Sequence, residues 1–129
     1  VARRYSPEGN LEMLVERSFN DYRVIERAVT TYYTEYGTLD YQYIMEFSDD
    51  INGESYYLEA DGSREDNFTY MRVYDSKHQL IEEWCYDTDG TMFRVNLFER
   101  DEYHNVLRYT TRYYDGDESV FTYEYERIK

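Results

Sequence analysis

Turn signals recur along the whole chain, roughly every 12–15 residues. The segment from Tyr86 to Met92 shows the fullest form: an aromatic residue, a polar turn, Gly, a small polar residue and an apolar residue. Asp, Asn and Gly suit such turns because they tolerate positive φ or bond their own backbone. Similar segments and two further turn signals predict turns centred near residues 8, 21, 36, 51, 62, 77, 89, 103 and 117.

Between the turns, apolar and polar residues alternate in the manner of half-buried strands. Nine turns join ten strands of about nine residues, and short connections place consecutive strands antiparallel. The sequence therefore predicts an all-β fold, an antiparallel up-and-down meander that forms a closed barrel or a strongly curled sheet, with closure favoured because it removes the edge strands. We expect residues 1–129 to form a single domain, preceded by a leader or upstream segment.

The segment from Leu11 to Val29 allows a second interpretation, because its apolar residues also recur at helical spacing and Ser6-Pro7 could begin a helix. Strands are favoured, since Gly9-Asn10 and Asn20-Asp21 interrupt the segment and its second half is rich in β-branched residues.

The predicted turns also set a register for the last four strands. One face would carry four rows of mainly apolar residues and form the core: Ile81, Glu83 and Cys85; Phe93, Val95 and Leu97; Tyr109, Thr111 and Tyr113; Phe121, Tyr123 and Tyr125. Predicted cross-strand pairs Arg72–Glu82 and Arg108–Glu126 attract. Arg94 would face Arg112, so we expect a register slip there.

Aromatic residues on the opposite, polar face form the candidate binding site. Tyr70, Trp84 and Tyr86, flanked by Arg72 and Arg94, are predicted to lie in one exposed patch. Exposed aromatic residues stack on sugars or on partner side chains, and Trp, Tyr and Arg are enriched at binding hot spots. The alternative is that these residues form a second small core.

Composition narrows the classes of partner. Aromatic residues make up 19% of the chain and hydrophobic residues 41%, which argues against disorder. The formal net charge is -14 and no basic run exists, so we predict no binding to nucleic acid or to anionic membrane surfaces. No apolar run has the length of a membrane span, which excludes a spanning helix. Cys85 is the one cysteine, which excludes an internal disulfide; we expect it to be buried.

No set of residues points to catalysis, so the sequence predicts a protein that is not an enzyme and has no cofactor or metal site. His78 and His104 each occupy the turn position that other copies fill with Gly, which favours a residue with positive φ over a catalytic base. Residues 48–59 partly match a calcium loop, but Ser48 stands at its first position, so a plain turn is favoured.

The frame Tyr-Asp-x-x-Gly-x-apolar, clearest from Tyr74 to Val120, resembles the YD repeats of Rhs-type proteins, although His78, His104 and Glu118 replace Gly. The chain is also similar to small secreted proteins of Bacteroidetes. These resemblances imply a secreted or envelope-associated β-protein and supply no catalytic residue. We therefore expect a binding or scaffold module that recognises a glycan or peptide. The alternative is an acidic inhibitor or immunity-type protein that docks on a basic partner protein. The compartment and the oligomeric state stay open.

Overall fold

The structure, a computed structural model, describes residues 1–103 and 105–125. It confirms the all-β prediction with ten strands: β1 (Ala2–Tyr5), β2 (Leu11–Phe19), β3 (Ile25–Tyr33), β4 (Leu39–Phe47), β5 (Asn52–Glu59), β6 (Arg64–Tyr74), β7 (Leu80–Tyr86), β8 (Met92–Arg100), β9 (Val106–Tyr113) and β10 (Glu118–Thr122). The segment that could have been helical forms β2 and β3, so the strand interpretation is confirmed there.

The strands follow one another in chain order from β1 to β10, as an antiparallel meander requires. Closure into a barrel, the favoured form of the prediction, is wrong: β1 and β10 stand at the two ends of the strand order. Within the described residues, no helix is long and apolar enough to span a membrane.

One turn geometry repeats between most strands. In the turn that begins at Asp75, the amide of His78 donates to the carbonyl of Asp75, and the Asp75 carboxylate accepts from the amides of Lys77 and Gln79. The fourth residue of the turn has positive φ, which Gly adopts without strain and other residues rarely do. His78 takes this conformation with φ 61°, as its position predicts, whereas His104 lies outside the described residues.

Arg23 occupies the same fourth position, with φ 63°, and its side chain is exposed. We expect Arg23→Gly to raise the free energy of unfolding by about 1 kcal/mol, because an L-residue in this left-handed conformation costs about 1–2 kcal/mol. Urea unfolding followed by circular dichroism measures the change. Arg23→Ala is the matched control: it also removes the charged side chain but keeps the strain, so a gain as large as that of the Gly variant would contradict this explanation.

The contacts within the chain divide it into two compact units, Val1–Thr69 and Tyr70–Lys129, here called unit 1 and unit 2. The core of unit 1 is a row across β3, β4 and β5, where Val29 faces Ile44 and Ile44 faces Tyr56. The guanidinium of Arg64 lies 3.8 Å from the centre of the Tyr56 ring and covers it. The row is therefore shielded by a side chain of the same sheet. The prediction of a single domain stays a prediction.

In unit 2, β7, β8 and β9 pair one residue away from the predicted register. Cys85 faces Arg94 instead of Phe93, and Asn96 takes the place opposite Glu83. Between β8 and β9, Arg94 faces Tyr113, so the expected slip away from a pair with Arg112 is confirmed. Register shifts between residues 85 and 86 and between 99 and 100 mark irregularities of the bulge type, each of which moves the pairing by one residue.

The ion pairs also differ from the predicted ones. The predicted Arg72–Glu82 pair is wrong: the Arg72 Nε lies 3.0 Å from an oxygen of Glu83, the next residue along β7. Arg108 faces Thr122 and pairs with Glu99 at 3.6 Å. The predicted Arg108–Glu126 pair involves a residue outside the described part of the chain.

The last predicted core row is also wrong. Phe121 lies opposite Tyr109, four residues away from the predicted register, and it is 54% exposed. Tyr123 and Tyr125 are exposed as well. Because β10 stands at the end of the strand order, it has only one neighbouring strand to cover its side chains.

Candidate functional site

The structure does not place the predicted binding residues on one exposed patch. Tyr70 and Arg72 are each only 4% exposed, whereas Met71, predicted to point inward between them, is 37% exposed. The expected exposure of these two residues is therefore wrong. From Tyr70 to Arg72, the alternation along β6 has the opposite phase from the predicted one.

The remaining predicted residues lie on different faces of unit 2. Trp84 is opposite Val95, and its neighbour Cys85 is opposite Arg94. Since successive residues of a strand point to opposite faces, Trp84 and Arg94 cannot share a surface. Trp84 and Tyr86 are both half-buried. The five predicted site residues thus do not share one surface, although Arg72, which pairs with Glu83, lies on the same face as Arg94.

The remaining chemical candidates have structural explanations. Cys85 is 1% exposed, as predicted, and burial raises the pKa of its thiol to about 11, so it stays protonated at neutral pH. The carboxylate of Asp49 accepts hydrogen bonds from the amides of Ile51 and Asn52, which lower its pKa and close the turn. This supports the turn interpretation of the calcium-like segment.

A different aromatic cluster lies on one face of unit 1, and we call it the tyrosine row: Tyr32, Tyr41, Tyr43 and Tyr57. Tyr32 of β3 faces Tyr41 of β4, and Tyr43 of β4 faces Tyr57 of β5. Directly opposite residues share a face, and Tyr41 and Tyr43 are two residues apart on one strand, so all four side chains project from the same surface.

The rings of the row form a continuous series of contacts. Tyr32 and Tyr41 stack with ring centres 4.6 Å apart, Tyr41 and Tyr57 are 6.1 Å apart, and Tyr57 and Tyr43 are 5.1 Å apart. All four residues are half-buried, so each ring is supported by its neighbours and still reaches the surface. Across three strands this surface is about 10 Å wide.

Polar contacts fix the far end of the row. The amide nitrogen of the Asn67 side chain lies 3.4 Å from the Tyr43 hydroxyl and 3.4 Å from the buried Ser55 hydroxyl. The Ser55 hydroxyl also accepts a hydrogen bond from the amide of Phe68. These contacts tie β6 to the strands that carry the row and limit the freedom of the Tyr43 ring.

The phenol of Tyr41 is held in its neutral form. Burial raises its pKa above the ordinary value, and the neighbouring Tyr32, Asp40, Tyr57 and Glu59 raise it further. The hydroxyl is therefore a hydrogen-bond donor as well as an acceptor throughout the neutral range.

A groove of about 480 Å³ lies beside the Tyr32–Tyr41 stack. Its walls combine these two rings with hydroxyl, amide and carboxylate side chains, among them Asn10, Thr34 and Asp40. Arg4 also lines it and is paired with Glu12 at 3.2 Å. The volume falls within the ordinary range of small-ligand sites.

Two other surfaces lack this combination. A larger cavity of about 580 Å³ in unit 1 has Phe47 as its one aromatic residue, and its Arg27 and Glu46 are occupied with each other at 3.4 Å. An apolar cavity of about 370 Å³ in unit 2 is lined by Phe98, Val106, Tyr109, Tyr123 and Tyr125. Its surface is mainly carbon, so it offers few polar atoms to orient a ligand.

Sequence reasoning missed the tyrosine row, although a signal for it exists. Tyr41 and Tyr43 stand at alternate positions of one predicted strand, and Tyr32 and Tyr57 lie on the strands before and after it. Pairing these strands about the turns near residues 36 and 51 brings the four tyrosines together.

No protein-family model matches this chain, and no curated protein matches its sequence.

Proposed function

We propose that this protein is a non-enzymatic binding module that recognises a glycan through the tyrosine row. The observation that carries the proposal is the series of four half-exposed rings in mutual contact on one sheet face. The proposal keeps the aromatic sheet face expected from the sequence and moves it from unit 2 to unit 1. A secreted or envelope-associated role is part of the same proposal.

The row suits a ligand with flat apolar faces and many hydroxyl groups. Aromatic rings supply large contact areas with little loss of side-chain freedom, since a tyrosine has few rotatable bonds. The apolar face of a sugar ring can lie on Tyr41 while Tyr32 supports Tyr41 from the adjacent strand. The contacts between the rings therefore prepare the surface before the ligand arrives, which lowers the entropic cost of binding.

The polar lining of the groove favours a glycan over a peptide. The Asp40 carboxylate accepts hydrogen bonds, and the Asn10 side chain both donates and accepts them. The hydroxyl groups of Thr34 and Thr38 are hydrogen-bonded to each other at 2.7 Å. Such closely spaced short polar groups match the hydroxyl pattern of a sugar. A peptide would instead pair with a sheet edge or dock into an apolar groove, as in the common modes of peptide recognition.

Arrays of oligosaccharides and of peptides identify the ligand, and calorimetric titration then measures its affinity for variants of the row. We expect Tyr41→Leu to weaken glycan binding about tenfold, because one stacked aromatic pair contributes about 0.5–1.5 kcal/mol beyond the buried area. The matched control is Tyr36→Leu, which changes a tyrosine that is 84% exposed in a neighbouring turn and should leave the affinity unchanged.

Salt distinguishes this function from an acidic protein that docks on a basic partner. Stacking on the row should depend little on ionic strength. A charge-driven complex should weaken steeply as the Debye length falls from ~30 Å at 0.01 M to ~3 Å at 1 M. An affinity that follows salt and ignores Tyr41→Leu would favour the inhibitor hypothesis, for which the support is the net charge of -14.

A further inference from the structure

The groove beside the Tyr32–Tyr41 stack carries an excess of negative charge. Four carboxylate side chains line it: Glu8, Glu12, Glu35 and Asp40. Arg4 is the one cation among the described residues of its lining, and its Nε already lies 3.2 Å from an oxygen of Glu12. Within the described part of the chain, no ion pair engages the other three carboxylates. A ligand in the groove therefore meets negative charge that the chain leaves uncompensated.

The strand pairing brings the carboxylate of Asp40 to the side of the rings. Tyr32 of β3 faces Tyr41 of β4. The next residue of β3 faces Leu39, so Asp40 is left without a residue opposite it. A bulge of this kind interrupts the alternation of the strand and re-aims a side chain. In agreement with this placement, burial raises the pKa of the Tyr41 phenol, and the nearby charge of Asp40 raises it further.

The bulge itself does not require an acidic residue. Asp40 is the second residue of β4, and the second residues of β8 and β9, Phe93 and Leu107, are likewise left without an opposite partner. Among the described residues, no hydrogen bond or ion pair engages the Asp40 carboxylate. The fold therefore does not use this carboxylate, which remains exposed at the groove beside Tyr41.

We propose that the glycan bound by the tyrosine row contains amino sugars, whose ammonium group pairs with the Asp40 carboxylate beside the Tyr41 ring. This inference rests on the proposed function and names the class of glycan. The face of a tyrosine ring and a carboxylate both attract an ammonium group, so the rings hold the sugar while Asp40 selects its charge. Uronic acids and sulfated sugars carry the opposite charge, and the groove would repel them.

Three tetrasaccharides that differ only in one substituent of each sugar ring test the proposal: the β-1,4-linked tetramers of glucosamine, N-acetylglucosamine and glucose. Calorimetric titration in mildly acidic buffer of low ionic strength keeps the amino groups charged. We expect the glucosamine tetramer to bind about tenfold more tightly than either uncharged tetramer. Added salt should remove most of this preference and leave the affinity for the glucose tetramer unchanged.

Asp40→Asn and Asp21→Asn are a matched pair of variants for this titration. Each removes one exposed negative charge, but Asp21 lies in the turn between β2 and β3, at the other end of β3 from the groove. Asp40→Asn should remove most of the preference for the glucosamine tetramer and keep the affinity for the glucose tetramer. Asp21→Asn should leave both unchanged. A preference that survives Asp40→Asn, or that falls equally in both variants, would reflect the net charge of -14 and overturn the proposal.

The Tyr41→Leu variant separates failure of this inference from failure of the proposed function. Equal affinities for the three tetramers, all weakened by Tyr41→Leu, would overturn the amino-sugar inference and keep the tyrosine row as a glycan site. Binding that Tyr41→Leu leaves unchanged would contradict both. Binding of none of the three tetramers would overturn the inference.

Discussion

Replacing Glu83 by Ala should lower the free energy of unfolding by about 3–5 kcal/mol, the range seen when one partner of a buried ion pair is removed. The Arg72 side chain is 3% exposed and that of Glu83 is 17% exposed, with the Arg72 Nε 3.0 Å from a Glu83 oxygen. Without Glu83 the guanidinium loses the carboxylate that is paired with its Nε, while its position still excludes water. Urea unfolding measures the loss, and the fluorescence of Trp84, next to Glu83, follows it locally.

Two variants separate this explanation from a general effect of losing a glutamate. Glu118→Ala breaks the Arg112–Glu118 pair, whose side chains are 51% and 37% exposed, and should cost less than about 1 kcal/mol. The double variant Arg72→Met, Glu83→Leu removes both charges and should recover much of the stability lost in Glu83→Ala. Equal losses for Glu83→Ala and Glu118→Ala would contradict the burial of the Arg72–Glu83 pair.

Replacing Ile44 by Ala should cost about 2–5 kcal/mol, as other large-to-small changes in protein cores do. Ile44 is 3% exposed and lies between Val29 and Tyr56 in the core row of unit 1. Those neighbours belong to strands paired with β4, so the backbone hydrogen bonds oppose their collapse into the space that the side chain leaves. Circular dichroism during urea unfolding measures the loss.

Ile51→Ala is the matched control for this experiment. The same atoms are removed from a residue that is 46% exposed in the turn before β5, so we expect a loss below about 0.5 kcal/mol. A similar loss for both variants would mean that the Val29–Ile44–Tyr56 row is not the main apolar core of unit 1.

The strands could be predicted from the sequence because each turn carries its own chemical signal. The Asp75 carboxylate accepts hydrogen bonds from two amides of its own turn. The fourth position of these turns has positive φ and is occupied by His78 in this turn and by Gly90 in another. These interactions are local, so the residues that make them stand next to one another in the sequence. Turn positions thus fixed the number, the order and the direction of the strands.

Register and faces could not be predicted with the same success, because they depend on single residues at the ends of hairpins. The register shift between Cys85 and Tyr86 places Arg94 opposite Cys85 and leaves Trp84 on the other face. A shift of one residue exchanges the two faces of a strand. The strand positions of the predicted site were therefore right, while its common surface was wrong.

The tyrosine row raises a different difficulty. Tyrosine is frequent throughout this chain, with 18 residues, so a tyrosine at any one position carries little information. What distinguishes Tyr32, Tyr41, Tyr43 and Tyr57 is their mutual ring contact, which follows only once the pairing of β3, β4 and β5 is known.

The measurement that tests the glycan-binding proposal most directly is a nuclear magnetic resonance titration of protein with labelled tyrosine rings, using the oligosaccharide selected on the array. Intermolecular contacts and shift changes should centre on Tyr32, Tyr41, Tyr43 and Tyr57, while the indole signal of Trp84 stays unchanged. Changes confined to Trp84 and Tyr86, or the absence of any oligosaccharide that binds, would contradict the assignment of the tyrosine row as the binding surface.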